Sequence, residues 1–143
     1  MALVKPIALP VNAFDANETQ RFYFTSSGGD QVVQNRLTIR KQEDNTIVYR
    51  ETVETYAFYQ DVPSGTLENG VNYNFYFNTY DFDGNISSNS NVVLFWCYTE
   101  PTLLFTNIPA GNIITSVSYD FHCTYNQTEG ELLESLVFKL YNN

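Results

Sequence analysis

Residues 67–88 read Leu67-Glu68-Asn69-Gly70-Val71-Asn72-Tyr73-Asn74-Phe75-Tyr76-Phe77-Asn78-Thr79-Tyr80-Asp81-Phe82-Asp83-Gly84-Asn85-Ile86-Ser87-Ser88. From Val71 to Tyr80 the stretch alternates. Val71, Tyr73, Phe75, Phe77 and Thr79 share one face, and Asn72, Asn74, Tyr76, Asn78 and Tyr80 share the other. Side chains along a strand point alternately to opposite faces, so this period predicts a β-strand whose Tyr73-Phe75-Phe77 face lines a core. The run 81–90, rich in Asp, Gly, Asn and Ser, predicts the turn that ends it.

Working outward, the rest of the first hundred residues reads as short strands between turns. Arg21–Ser26 is a compact aromatic strand closed by Ser26-Ser27-Gly28-Gly29. Arg36–Lys41 alternates, with Leu37 and Ile39 on one face. Thr46–Thr55 is polar and β-branched, as expected near a sheet edge, and Tyr56–Val62 ends at Pro63-Ser64-Gly65. Asn91–Tyr98 is the last strand, with Val92, Leu94 and Trp96 opposed to Val93 and Phe95. No segment carries a helical period. Short strands in this order predict an all-β, Greek-key sandwich.

An offset of 99 residues (Phe121 minus Phe22) lays the chain on itself without a gap. Leu9-Pro10 meets Ile108-Pro109, Phe22 meets Phe121, Thr25 meets Thr124, Leu37 meets Leu136, and Ile39 meets Phe138. A repeat of that period predicts two copies of one module: a complete sandwich over residues 1–98, and the first strands of an incomplete second copy over 99–143. Glu129–Phe138 has helix-forming residues, but its match with Asp30–Ile39 predicts a loop and then a strand.

The 143 residues are 43% hydrophobic and 16% aromatic, with 11 Tyr and 11 Phe. That apolar content argues against disorder. Charged residues are only 16%, against roughly 25% in average domains, and Asn, Thr, Ser and Gln supply the polarity. Seven Lys and Arg against 16 Asp and Glu leave a net charge of -9. Nucleic acid and anionic membranes are poor partners for such a chain. No apolar run approaches the roughly 20 residues that span a bilayer. The opening Met1-Ala2-Leu3-Val4-Lys5-Pro6 lacks a signal-peptide pattern, so synthesis in a cytoplasm is expected.

Leu67 and Tyr73 have the Leu-x5-Tyr spacing of a tyrosine corner, in which a buried hydroxyl bonds to backbone a few residues upstream. Thr79-Tyr80-Asp81-Phe82-Asp83-Gly84-Asn85-Ile86-Ser87 then resembles the fibronectin type III signature, an aromatic strand running into an A-x-D-x-x-G-N-x-S turn. The resemblance covers residues 5–98 and implies a fibronectin type III or immunoglobulin-like sandwich. Thr79 stands where the family often has Ala, and Phe22 and Phe24 stand where it often has a Trp on the second strand. Leu67, Tyr73, Phe75, Phe77 and Trp96 are the expected structural residues.

Candidate sites are few. Asp81, Asp83 and Asn85 alternate in a Gly-containing turn, as calcium ligands can, but no bidentate Glu follows at the EF-hand spacing. A structural turn is preferred and no metal or cofactor is expected. Tyr23, Tyr59, Tyr76 and Tyr80 either bury against a neighbour, stack on sugars, or pair across strands. Cys97 and Cys123 are expected to be free thiols. Asn17, Asn85 and Asn126 open N-x-[ST] sequons of the kind that arise by chance in Asn-rich chains. His122 is expected to face outward, and with no nucleophile elbow, phosphate loop or zinc cluster the chain reads as no enzyme.

The opening hexapeptide, the Asn- and Tyr-rich strands and the repeat together resemble tail and baseplate proteins of phages that infect Gram-positive bacteria. That resemblance implies a virion structural protein of a tailed phage, in the tail tip, baseplate or fibre attachment region. It would pack as a homo-oligomer of three-fold or six-fold symmetry among other virion proteins and support host attachment, with cell-surface glycan bound through downstream modules. The alternative is a secreted or cell-surface protein: a spacer or carbohydrate-binding module of an adhesin or glycan-degrading enzyme. For the second copy, Phe105, Phe121, Leu136 and Phe138 form an inner face that nothing within 99–143 covers. They are the interface candidates, to be covered by a longer chain or by strand addition from a partner.

Overall fold

The computed structural model describes residues 2–141. The chain divides into two compact units, Met1–Tyr98 and Thr99–Asn143.

The first unit is two antiparallel sheets. β1 (Ile7–Ala8), β2 (Gln20–Thr25) and β5 (Tyr59–Val62) form one, in the order β1-β2-β5. β3 (Gln34–Lys41), β4 (Ile47–Glu54), β6 (Asn72–Tyr80) and β7 (Val93–Trp96) form the other, in the order β4-β3-β6-β7. The chain crosses between sheets after β2, β4 and β5, which is Greek-key connectivity. The core follows from the alternation: Phe22 and Phe24 of β2 meet Leu37 and Ile39 of β3, Tyr73, Phe75 and Phe77 of β6, and Phe95 of β7, all buried. Ring centroids lie 4.9 Å apart for Phe22 and Phe75 and 4.6 Å for Phe24 and Phe77. Truncating any of these rings to Ala removes a cavity's worth of contacts, typically about 3–5 kcal/mol.

One strand boundary needs correcting, and the structure settles what two faces pack against. The last strand is shorter than 91–98. Within it Phe95 turns inward and Trp96 outward, where Trp96 is half-buried against Tyr98 with ring centroids 5.3 Å apart. The strand has apolar residues on both faces, and the register Tyr73↔Phe95 settles which face packs. The polar face of β6 is also buried: Asn74, Tyr76 and Asn78 lie under long side chains from β3 and β4. At one end of the core a polar link joins the sheets, with the Gln60 Nε2 donating to the Asn35 backbone and side-chain oxygens at 2.9 and 2.8 Å.

β6 outruns its neighbour β7, and side chains complete the pairing. The Ser90 hydroxyl accepts from the Phe77 N–H at 2.9 Å while the Ser90 N–H donates to the Phe77 carbonyl. Ser87 does the same for Thr79. The Asn91 amide likewise accepts from and donates to the backbone of Ala8. Buried N–H and C=O groups are thus satisfied where no strand runs.

In the second unit β8 (Thr102–Phe105) pairs antiparallel with β9 (Cys123–Asn126). Ala8 pairs with Phe24 in the first unit and Phe105 with Cys123 in the second. Cys123 is 99 residues from Phe24 (123 minus 24), but Phe105 is 97 from Ala8 (105 minus 8), so the gapless overlay slips by two residues between the strands. The strand expected within Glu129–Phe138 does not form. Its counterpart β3 is held by β4 and β6, and the described residues of the second unit supply no equivalent of either.

Candidate interaction surfaces

The second unit has two strands and no opposite layer. None of the described residues from 99 to 141 is buried. Phe105, Phe121 and Phe138 gather by aromatic contact, with centroids 6.3 Å (Phe105–Phe121), 5.8 Å (Phe105–Phe138) and 4.9 Å (Phe121–Phe138). The structure therefore brings Phe105, Phe121 and Phe138 together, and the fourth interface candidate, Leu136, is half exposed. Leu104 and Leu140 are 68% and 70% exposed. In the first unit the same β2 face is covered by β6 and β7; here it is open.

The turn after β6 is closed by its own carboxylate. Asp81 Oδ1 accepts from the N–H groups of Asp83 and Asn85, both at 2.9 Å, and Asp81 Oδ2 accepts from the Asn85 amide at 2.8 Å. The Asn85 side-chain bond, with the backbone donors behind it, holds the Asp81 carboxyl below its ordinary range. These bonds shape the turn that carries the calcium candidate Asp81, Asp83 and Asn85, with the Asn85 Nδ2 donating to Asp81. Among the described residues no group of three His, Cys, Asp or Glu side chains converges.

Tyr73 is buried and its hydroxyl accepts from the Glu68 N–H at 2.9 Å. Burial is the largest influence on that hydroxyl and raises its pKa. Leu67, Phe75 and Phe77 are buried beside it. Tyr23 and Tyr59 pair across β2 and β5 with centroids 5.9 Å apart, and the Arg21 guanidinium sits 3.9 Å over Tyr59 while pairing with Asp61 at 2.7 Å. Both cysteines are free; Cys97 is buried and Cys123 half-buried. His122 is exposed.

The outer face of the four-stranded sheet was missed as a feature. Arg36 and Arg40 of β3 and Arg50 of β4 lie across it. The Arg36 guanidinium donates to Asn78 Oδ1 at 3.2 Å and the Arg40 Nε to Asn74 Oδ1 at 3.1 Å. Arg50 donates to Thr38 Oγ1 at 3.2 Å and to the Tyr76 hydroxyl at 3.3 Å. Arg40 and Arg36 also stand over the rings of Tyr76 and Tyr80, at 5.2 and 5.7 Å. The even spacing of Arg36 and Arg40 in a strand was the available signal.

No family model matches the chain, and no curated protein matches it. Solved structures do. One described as a myokine structure aligns with a TM-score of 0.55 at 18% identity, covering 66% of this chain and 97% of its own length. The first unit is an immunoglobulin-like, fibronectin type III-like β-sandwich. A β-1,2-glucanase from Parabacteroides distasonis aligns at TM-score 0.54 and 15% identity over 69% of this chain, which spans 13% of that enzyme. At these identities the likeness is one of fold, and the sandwich is a scaffold shared by many functions.

Proposed function

We propose that this chain is a non-catalytic assembly module. In its most specific form it is a structural component of a tailed-phage virion, placed in the tail tip, baseplate or fibre attachment region and supporting host attachment. The open aromatic face of the second unit carries the reading. Phe105 at the end of β8 meets Phe121 and Phe138, which lie outside the two strands, in a unit with nothing buried, and a two-stranded layer is stable only when a second layer covers it. Covering strands come from further chain or from a neighbouring subunit by strand addition. The phage form is supported by the sequence resemblance above. Its test is copy number. Quantitative mass spectrometry of purified particles should find the chain at a multiple of three or six per tail. Absence from particles would overturn the phage form. Rapid, uniform hydrogen exchange over 99–141 in every complex isolated would overturn the assembly reading itself.

A second reading, a glycan-binding or spacer module, is favoured by one cleft. Tyr56 and Phe82, exposed by 64% and 71%, line a cleft of about 360 Å³ with Gln34, Glu54 and Asp81. Ring faces beside amide and carboxylate groups suit a sugar. Glycan-array binding that is lost in Tyr56→Ala would favour it, and a blank array would remove it.

A further inference from the structure

In a chain of net charge -9, cations are expected to sit beside carboxylates. Arg21 and Lys41 do so, pairing with Asp61 and Glu68. Arg36, Arg40 and Arg50 donate instead to the neutral side chains of Asn78, Asn74, Thr38 and Tyr76. The strand register fixes their arrangement. Thr38 lies opposite Arg50 on one side and Tyr76 on the other, so Arg50 falls between the levels of Arg36 and Arg40. Those two are four residues apart on one strand, about 13 Å. Another row crosses all four strands as Ile47, Arg40, Asn74 and Leu94. Ile47 and Leu94, 44% and 60% exposed, thus flank the arginines. Glu54 is the carboxylate that this register places on the face, at its end opposite Gln34.

We propose that this outer face docks an acidic polypeptide segment of another protein. Charge complementarity argues for the acid. A guanidinium has five N–H donors in a fork that matches a carboxylate, and the neutral partners here take one or two. The Tyr76 hydroxyl reports the local potential. Burial pushes its pKa up, yet the hydrogen bonds with Thr38 and Arg50 and the charges of Arg50 and Arg40 outweigh burial and bring it below the ordinary value. The flanking residues argue for a polypeptide over an acidic glycan. Ile47 and Leu94 are branched aliphatic groups that bury well against side chains and offer no ring to stack on a sugar. Arg and Tyr are also the residue types that dominate binding energy at protein interfaces. All of these residues lie in the first unit, so the proposal stands independently of what covers the second.

Fluorescein-labelled poly-L-glutamate is the probe, titrated by anisotropy with the whole chain at about 50 and about 300 mM salt. Saturable binding that weakens at the higher salt is expected. Arg50→Gln, at an exposed position, should weaken it roughly tenfold, and Arg36→Gln with Arg40→Gln should weaken it further, as loss of charge-assisted hydrogen bonds does. Circular dichroism and thermal melting of each variant separate loss of binding from loss of fold. No binding at low salt overturns the proposal, as does binding that Arg50→Gln leaves unchanged. Tighter binding of polygalacturonate than of polyglutamate overturns the choice of a polypeptide. Low-salt self-association that Arg50→Gln abolishes, seen by sedimentation, assigns the face to a second copy and overturns it as well.

Discussion

The Tyr73 hydroxyl accepts a hydrogen bond from the backbone N–H of Glu68 at 2.9 Å, closing the loop from Leu67 back onto β6. Tyr73→Phe keeps the ring that stacks on Phe95, with centroids 5.5 Å apart, and removes only the oxygen. The Glu68 N–H then loses its acceptor, so the variant should be less stable by about 1–2 kcal/mol. Urea denaturation should show a lower midpoint at unchanged slope; an unchanged midpoint would mean that the corner contributes nothing.

Ser87 and Ser90 offer a sharper test. Each hydroxyl accepts from a buried N–H of β6, Thr79 and Phe77 respectively. Ser90→Ala leaves the Phe77 N–H unpaired in the core and should destabilise by about 1–3 kcal/mol, with Ser87→Ala similar. Ser90→Thr keeps the acceptor and should lie nearer wild type. Equal loss in the Ala and Thr variants would point to packing and not to the hydrogen bond.

Asp81 gives a pH dependence whose sign is fixed. Its folded-state pKa lies below the unfolded value of 3.8, because the charged form accepts the Asn85, Asp83 and Gly84 donors. The stabilisation is present above the unfolded pKa and fades as pH falls through the folded one. In Asp81→Asn that contribution is absent throughout. The midpoint difference between wild type and variant should therefore be constant near neutrality and shrink below about pH 4. A gap that holds its size into strong acid contradicts this.

The two thiols should differ in reactivity. Burial pushes the Cys97 thiol up to about 12, with the Asp15 charge adding to it. Cys123 is half-buried in the second unit. Since the thiolate is the reactive form, a disulfide reagent at about pH 8 should label one thiol in the native chain and two after denaturation. Cys123→Ser should abolish the native signal. Fast labelling that survives in Cys123→Ser would show that the sandwich opens at Cys97.

Much of the sandwich was legible because its signal is periodic. The β6 alternation placed Tyr73, Phe75 and Phe77 inward, and the Leu67 spacing located the corner. What escaped the sequence shares one physical cause: pattern gives faces, and only neighbours give burial. Trp96 and Phe95 sit on opposite faces of a strand apolar on both, so its inner face depends on the β6 register. Asn74, Tyr76 and Asn78 are polar yet buried because arginines from β3 and β4 lie over them. The slip between β8 and β9 is two residues, and an even slip keeps every side chain on its face, so the overlay could not register it. At the candidate surfaces, the cluster of Phe105, Phe121 and Phe138 was readable from the repeat. Of the arginine face only the even spacing of Arg36 and Arg40 was readable, since Arg50 joins it from β4 through the Thr38↔Arg50 register.

The serines that complete β6 also decide where foreign strands can attach. A strand end with open N–H and C=O groups is a template for a neighbouring chain, and natural sheets avoid leaving one. From Phe77 to Thr79 those groups are already occupied by Ser90 and Ser87, whose side chains present no continuing ladder of their own. Aggregation from that stretch is blocked by two hydroxyls. On the opposite edge of the sheet the eight-residue β4 offers an added strand a longer template than the four-residue β7 does.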